Sequence, residues 1–358
     1  MLDATMTRDA LIAAIEDGEP LRDQSFAGLD LTGADLSGGI FIGCDFTGAR
    51  LGDADLRETL IAGARMRGAN FEGAKLVHTT FHEADLGGAV FARAILTGTK
   101  FVESDLTQTN FADTRIPMTS FSACQLVGAS FARTRWERGC VLDSDTTELD
   151  LTDATLLEAT FYRADLRTAK LGGVEIVRSV FSESDLRGAS LTGLVLTLAQ
   201  FTEAKLDEAD FSRSKLDRAG FYGASLAGAK FDEADATGAL FASASLPDAR
   251  FGKARLRQAV FTSASAPRAD FRGAMLEQAI FQRAGLEDAR FDGAALTYAD
   301  FSHADVRSAN FSGASMFRAR LHRVRDDGAI FTSRAVTLGD DVAIARAEDW
   351  GSKEREAR

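Results

Sequence analysis

"FRGAMLEQAIFQRAGLEDARFDGAALTYADF", residues 271–301, places Phe at 271, 281, 291 and 301 and Leu at 276, 286 and 296. Ala274, Ala279, Ala284, Ala289, Ala294 and Ala299 each stand two residues before one of these bulky groups. A helix face recurs every 3.6 residues and a strand face every 2, so a strict period of five fits neither as a continuous element. The chain must change direction every five residues, with the bulky residue always on the inside of the bend. That is the signature of a solenoid.

The period is global. Stepping by five from Phe26 to Phe331 gives 62 centres, of which 58 are Leu, Phe, Ile, Met, Val or Trp; the exceptions are Thr146, Ala236, Ala266 and Asp326. The residue two before the centre is Ala, Ser, Thr, Gly or Cys in 56 of the 62, with Gln24, Leu29, Leu149, Val174, Leu194 and Val324 departing. Of 26 Phe, 25 sit on this grid and only Phe317 is off it, so the register never slips.

This pattern resembles the pentapeptide-repeat family, whose motif is small, polar, Leu or Phe, polar, any; "ADLSG" (34–38), "SDLRG" (184–188) and "ANFSG" (309–313) carry it closely. The resemblance covers residues 24 to about 333 and implies an all-β solenoid, a right-handed quadrilateral β-helix with four repeats per coil, so about 15 coils. Packing agrees, since a narrow tube holds one large side chain per side only if the neighbouring inward residue is small. Gly at 28, 33, 38, 43 and 48 recurs two after the centre, where a turn of positive φ is expected. Phe on alternate repeats through 201–311 should line two opposite sides and Leu the other two. Phe221→Asp should therefore bury an unpaired charge, whereas the outward Asp207 should tolerate replacement.

One solenoid domain is expected over residues 21–336, with an N-terminal helical cap at 1–20 and a short helix and tail at 337–358. In the cap, Thr7 should be the N-cap and Leu11, Ile12 and Ile15 the apolar face. At the far end Asp340 or Asp341 should cap a helix carrying Val342, Ile344, Ala345 and Trp350. Residues 139–150, "GCVLDSDTTELD", put Thr146 at a centre and Leu149 at a small position, which suggests a distorted coil or an extruded loop of five or ten residues. Such an insertion would keep the grid while rotating every later face.

The start of the chain holds only a short apolar run with acidic flanks, and no stretch approaches membrane-spanning length, so a cytoplasmic protein without a membrane partner is expected. Cys44 and Cys124 are four coils apart, about 19 Å at strand spacing, which excludes a disulfide. His78 and His82 flank a corner, but no carboxylate or Cys cluster of zinc spacing accompanies them, so neither metal nor cofactor is expected. No nucleophile elbow, P-loop or dinucleotide fingerprint appears, and catalytic residues are not expected.

Surface remains. A net charge of −12 disfavours nucleic acid as a direct partner. Acidic members of the family imitate duplex DNA and engage DNA gyrase, and that resemblance makes mimicry one alternative. The side with centres 26, 46, 66 and onward carries 14 acidic against 8 basic outward residues, with Asp45, Asp85, Asp105, Asp145, Asp165 and Asp185 as a ladder just before the centres. Arg65, Arg67, Arg167 and Arg187 lie beside it. On another side Leu240, Val260 and Ile280, with Tyr222 just after an adjoining centre, should stack into an apolar stripe suited to a protein partner; Ile40 and Leu60 begin a similar one. A second resemblance, over "TRDALIAAIEDGEPLRDQSFAGLDLTGADLSG" (7–38), is to pentapeptide-repeat modules found with bacterial type VI secretion components. It implies a non-catalytic accessory or adaptor that helps load a secreted spike or effector. Gyrase in the mimicry alternative, or a second copy of the chain, are the other partners considered.

Overall fold

The computed structural model describes residues 6–332 and 334–356. Contacts divide it into two units, Met1–Ala189 and Ser190–Arg358.

The first unit opens with helix α1, Arg8–Glu16, whose first turn is capped by Thr7 Oγ1 accepting from the Ala10 N–H at 3.3 Å. Leu11 is buried and Ile12 and Ile15 are half-buried, as the apolar face requires. The chain then winds into coils whose backbones pair in parallel at a 20-residue offset, as in Phe41↔Ile61 and Phe81↔Phe101. On one side this pairing makes an eight-stranded sheet running from Leu21–Arg22 to Thr160–Tyr162, and on another a four-stranded sheet from Arg115–Pro117 to Glu175–Val177. The second unit repeats the same offset through single bridges such as Ser225↔Ser245 and Ser245↔Ser265. It ends in helix α2, Val342–Glu356. No helix among the described residues is long and apolar enough to cross a membrane.

The five-residue grid is the inside of the tube. Centres from Phe26 to Phe311 are almost all fully buried, together with the small residues two before them. The phenylalanines form two parallel stacks in the second unit: Phe221 and Phe241 lie 4.8 Å apart at 2°, Phe231 and Phe251 4.8 Å apart at 7°, and the stacks meet edge to face at 5.6 Å between Phe241 and Phe251. Offset stacks and edge contacts are the arrangements that aromatic quadrupoles favour. Inward threonines satisfy their hydroxyls on the coil below: Thr79, Thr99 and Thr119 donate to the carbonyls of Leu56, Leu76 and Leu96, each at 2.6 Å. Phe317, the one phenylalanine off the grid, is exposed.

Of the two alternatives for 139–150, the extruded loop does not form and the coil stays in register. Ser120, Cys140 and Thr160 pair in succession, and Gln125↔Asp145 and Ser130↔Asp150 keep the 20-residue offset. The unusual residues instead repack the interior around Trp136, which is fully buried and donates Nε1–H to Thr134 Oγ1 at 3.0 Å. A Cβ on Gly139 would lie 2.9 Å from the Trp136 ring, so glycine and the short Val141 make room for the indole. Thr146 is also accommodated. Elsewhere a centre donates its N–H to the coil above, as Leu126 does to Asp145 O at 2.7 Å; at Thr146 the side-chain hydroxyl reaches Asp165 O at 2.8 Å.

Two further readings change. Asp207 is not a free surface acid: its Oδ1 accepts from Ser225 Oγ at 2.5 Å and Ala227 N at 2.8 Å, tying two coils together. Asp326, a polar centre, is half-buried in the last coil and ion-paired to Arg334.

Candidate functional site

Outward residues sit in columns set by the grid. The residue before each centre pairs in the backbone ladder, and the residue two after it turns the corner at positive φ. Three places on these columns gather chemistry.

The acidic ladder lies in the first unit and is mostly neutralised. Arg65 reaches Asp45 at 2.9 Å, Arg67 reaches Asp85 at 3.1 Å and Asp105 at 3.6 Å, and Arg167 and Arg187 each hold Asp165 and Asp185 respectively at 2.6 Å. Asp145 has Thr147 instead, which donates its N–H at 3.0 Å and its hydroxyl at 2.7 Å. Every rung also accepts the N–H two residues ahead, from 2.9 Å at Thr47 to 3.3 Å at Gly87. This contact closes a local turn, and it explains the recurrence of Asp there by backbone satisfaction. Hydrogen bonds and charge from Arg167 hold the Asp165 carboxyl below the ordinary range against the opposing effect of burial.

The apolar stripe lies in the second unit. Gly220, Leu240, Val260, Ile280 and Asp300 pair in one unbroken ladder, so the three apolar rungs are neighbours on one face. Leu240 is 45% exposed and Tyr222 54%, while Val260 and Ile280 are half-buried. The Ile40–Leu60 pair forms as expected, but the next rungs are Thr80 and Lys100, so that row stays short.

The third place was not read from the sequence. His303 and His322 occupy neighbouring columns on adjacent coils of the side with centres 301 and 321, and the His303 N–H donates to His322 O at 2.8 Å. Their rings stand edge to face, 5.3 Å between centroids. Glu348 of α2 meets both: Oε1 lies 3.0 Å from His303 Nε2 and Oε2 3.3 Å from His322 Nε2. Arg323 adds its Nε at 3.0 Å to Glu348 Oε2, and donates to Ala345 O at 3.0 Å. Burial would raise the Glu348 pKa, yet the hydrogen bonds from the two imidazoles hold it below the usual range. Beside the trio a cavity of about 560 Å³ is bordered by Gln282, Ser302, Arg320, Leu338 and Ile344. Helix α2 is capped by Asp341, whose Oδ1 accepts from Ala343 N at 3.0 Å and Ile344 N at 3.1 Å. It turns Ala345 and Glu348 toward the coils, while Val342, Ile344 and Trp350, the helix's large apolar residues, are exposed. The grid addresses of 303 and 322 could have paired the two histidines; nothing in the sequence brings Glu348 to them.

His78 covers Gly98, where an added Cβ would lie 2.6 Å from Nδ1. Contrary to the sequence expectation, carboxylates do accompany His82: one ligand atom each of His82, Glu83 and Glu103 lie within 4.8 Å of one another, though both glutamates are exposed.

A parallel four-sided solenoid whose distinguishing chemistry is all on its outer columns defines a repeat scaffold. The pentapeptide-repeat model matches in eight copies, at residues 21–53, 40–76, 49–88, 74–113, 179–218, 219–258, 254–293 and 284–323, and the chain belongs to the pentapeptide-repeat family. The stretch outside these matches, 114–178, contains the Trp136 repacking. Similar solved structures include full-length QnrB1, a plasmid-mediated fluoroquinolone resistance protein, at 23% identity and a TM-score of 0.32 over 47% of this chain and 87% of that one. HetL, involved in heterocyst differentiation regulation in the cyanobacterium Nostoc sp. strain PCC 7120, is 19% identical with a TM-score of 0.19 over 85% of this chain and 96% of that one. A pentapeptide repeat protein of the Arabidopsis thaliana thylakoid lumen is 30% identical with a TM-score of 0.11 over 34% of this chain and 66% of that one. No curated protein matches the chain.

Proposed function

We propose that this protein is a non-catalytic scaffold that captures a protein partner on the face carrying Leu240, Val260 and Ile280, with Tyr222 at its edge. The observation that carries the proposal is the unbroken ladder through these three rungs, which puts three apolar side chains side by side, whereas apolar rungs on other columns, such as Val90 and Ile95, stand between polar or charged ones. Contiguous exposed apolar groups on a rigid, hydrogen-bonded surface suit association that needs little ordering of the scaffold. The finer reading is an accessory or adaptor of a type VI secretion system, loading a spike or effector; it rests on the resemblance of residues 7–38. Exposed Val342 and Trp350 would suit a second copy of the chain as a further partner.

DNA mimicry is the weaker reading. Arg65, Arg67, Arg167 and Arg187 neutralise five of the six rungs, so the ladder does not present the uniform negative row that a phosphate backbone does. The test is a pair of measurements on the purified chain: binding to type VI secretion spike and effector proteins, and inhibition of gyrase supercoiling. Binding without inhibition supports the adaptor; inhibition without binding replaces it by mimicry.

A further inference from the structure

We propose that His303, His322 and Glu348 form a site for a divalent transition metal of the zinc type, which clamps α2 onto the last coils of the second unit.

The geometry carries it. One ligand atom from each residue can be chosen so that all three lie within 4.8 Å of one another. Glu348 Oε1 is 3.0 Å from His303 Nε2, and Oε2 is 3.3 Å from His322 Nε2. Metal bonds of 2.0–2.1 Å in a tetrahedron set ligand atoms about 3.3 Å apart; the edge from Glu348 Oε1 to His303 Nε2 already has nearly that length, and the edges to His322, within 4.8 Å, close by side-chain adjustment. Two imidazoles and one carboxylate are a donor set for zinc and its transition-metal neighbours; magnesium and calcium take oxygen-rich cages. A fourth position would open on the adjoining cavity, where water fits.

The supporting contacts are of the kind that hold metal ligands. His322 is 4% exposed at its side chain, so its ring direction is fixed by packing. Its Nδ1 accepts from Asp341 N at 3.1 Å and lies 3.6 Å from Asp340 Oδ1. In the metal-free state Nε2 carries the ring proton and donates to Glu348. Metal binding takes the Nε2 lone pair and moves the ring proton to Nδ1, so the Asp341 N–H must turn from Nδ1 to water of the adjoining cavity while Asp340 Oδ1 closes from 3.6 Å to become the acceptor, the carboxylate–histidine–metal arrangement. Arg323 stays on Glu348 Oε2 and leaves Oε1 for the ion. The charged groups facing the site are then Arg283, Arg320 and Arg323 from the coils and Asp340, Asp341, Glu348 and Asp349 from the C-terminal segment.

The test uses the full chain, stripped with a chelator and titrated calorimetrically with zinc chloride alone. The expected result is one saturable equivalent and a melting temperature that rises with zinc and returns with chelator. Glu348→Gln, on the helix surface, should weaken binding at least about tenfold without altering circular dichroism. The pair His303→Gln and His322→Gln should abolish it. No uptake by the wild type, or equal uptake by the histidine variant, which would put the ion on cysteines or surface carboxylates, overturns the proposal.

Discussion

At the scale of single residues the decisive feature is the corner. Among the described residues, those two after a centre take a left-handed conformation with one exception, whether or not they are glycine: φ is +46° at Asp143 and +62° at His303, with Met118, Leu198 and Tyr298 among them. None of these non-glycine residues is β-branched, and Thr168, the one β-branched residue at such a position in the repeats, is not among them. Its hydroxyl accepts from Glu148 N at 2.9 Å instead. Left-handed φ costs roughly 1 kcal/mol for an ordinary L-residue and more for a β-branched one. Gly228, at φ +64° with a Cβ site 3.7 Å from Glu208 Cγ, has room for a side chain, so only conformation resists substitution. Gly228→Ala should lower stability by about 1 kcal/mol and Gly228→Val by more, measured by urea unfolding; equal stability of the two would contradict the corner assignment.

Acid sensitivity also belongs to residues. Hydrogen bonding to Arg57 and Arg167 holds Asp55 and Asp165 below the ordinary carboxylate range. A carboxyl held low contributes stability above its unfolded pKa of about 3.9, and that contribution is lost as pH falls through the lower folded value. Melting temperature should therefore be flat between pH 7 and about 5 and decline below about 4; a decline already complete at about pH 5 would mean other groups control it.

At the scale of elements, the coil was legible from the sequence and its one repacking was not. A period of five, with small residues two before each centre, dictates inward and outward positions with no tertiary information, because each coil repeats the packing problem of the last. Thr146 and Leu149 flagged the right region. The reason lay in Trp136, a permitted residue on the grid whose volume forces Gly139 and Val141 on its neighbour, and volume matching across a tube is not a property of any single column. Gly139→Ala should cost about 1–3 kcal/mol through contact with Trp136 and with Thr119 O at 3.1 Å. In a Trp136→Leu background the same change should cost less, giving a non-additive cycle in thermal unfolding. Additive effects would show that the indole is not what Gly139 accommodates. Helix α2 shows the opposite limit of sequence reading: its apolar residues suggested the packed face, whereas Ala345, Glu348 and the Arg323 contacts hold it.

At the scale of the whole molecule, charge and pattern narrowed the function to surface recognition, and the structure ranks the surfaces. The −12 net charge pointed to an acidic face, but its rungs are spent on turns and arginines that the sequence placed nearby without showing they were paired. The apolar stripe follows directly from equivalent positions 20 residues apart, and its ladder forms as the grid requires. The measurement that tests the central claim most directly is equilibrium binding of type VI secretion spike and effector proteins, comparing the wild type with Val260→Arg/Ile280→Arg, with gyrase supercoiling assayed in parallel. The account predicts that the double variant keeps its circular dichroism and melting temperature, loses at least about tenfold in affinity from desolvated charge at the interface, and that neither protein inhibits gyrase. Unchanged affinity in the double variant, or gyrase inhibition by both, would contradict it.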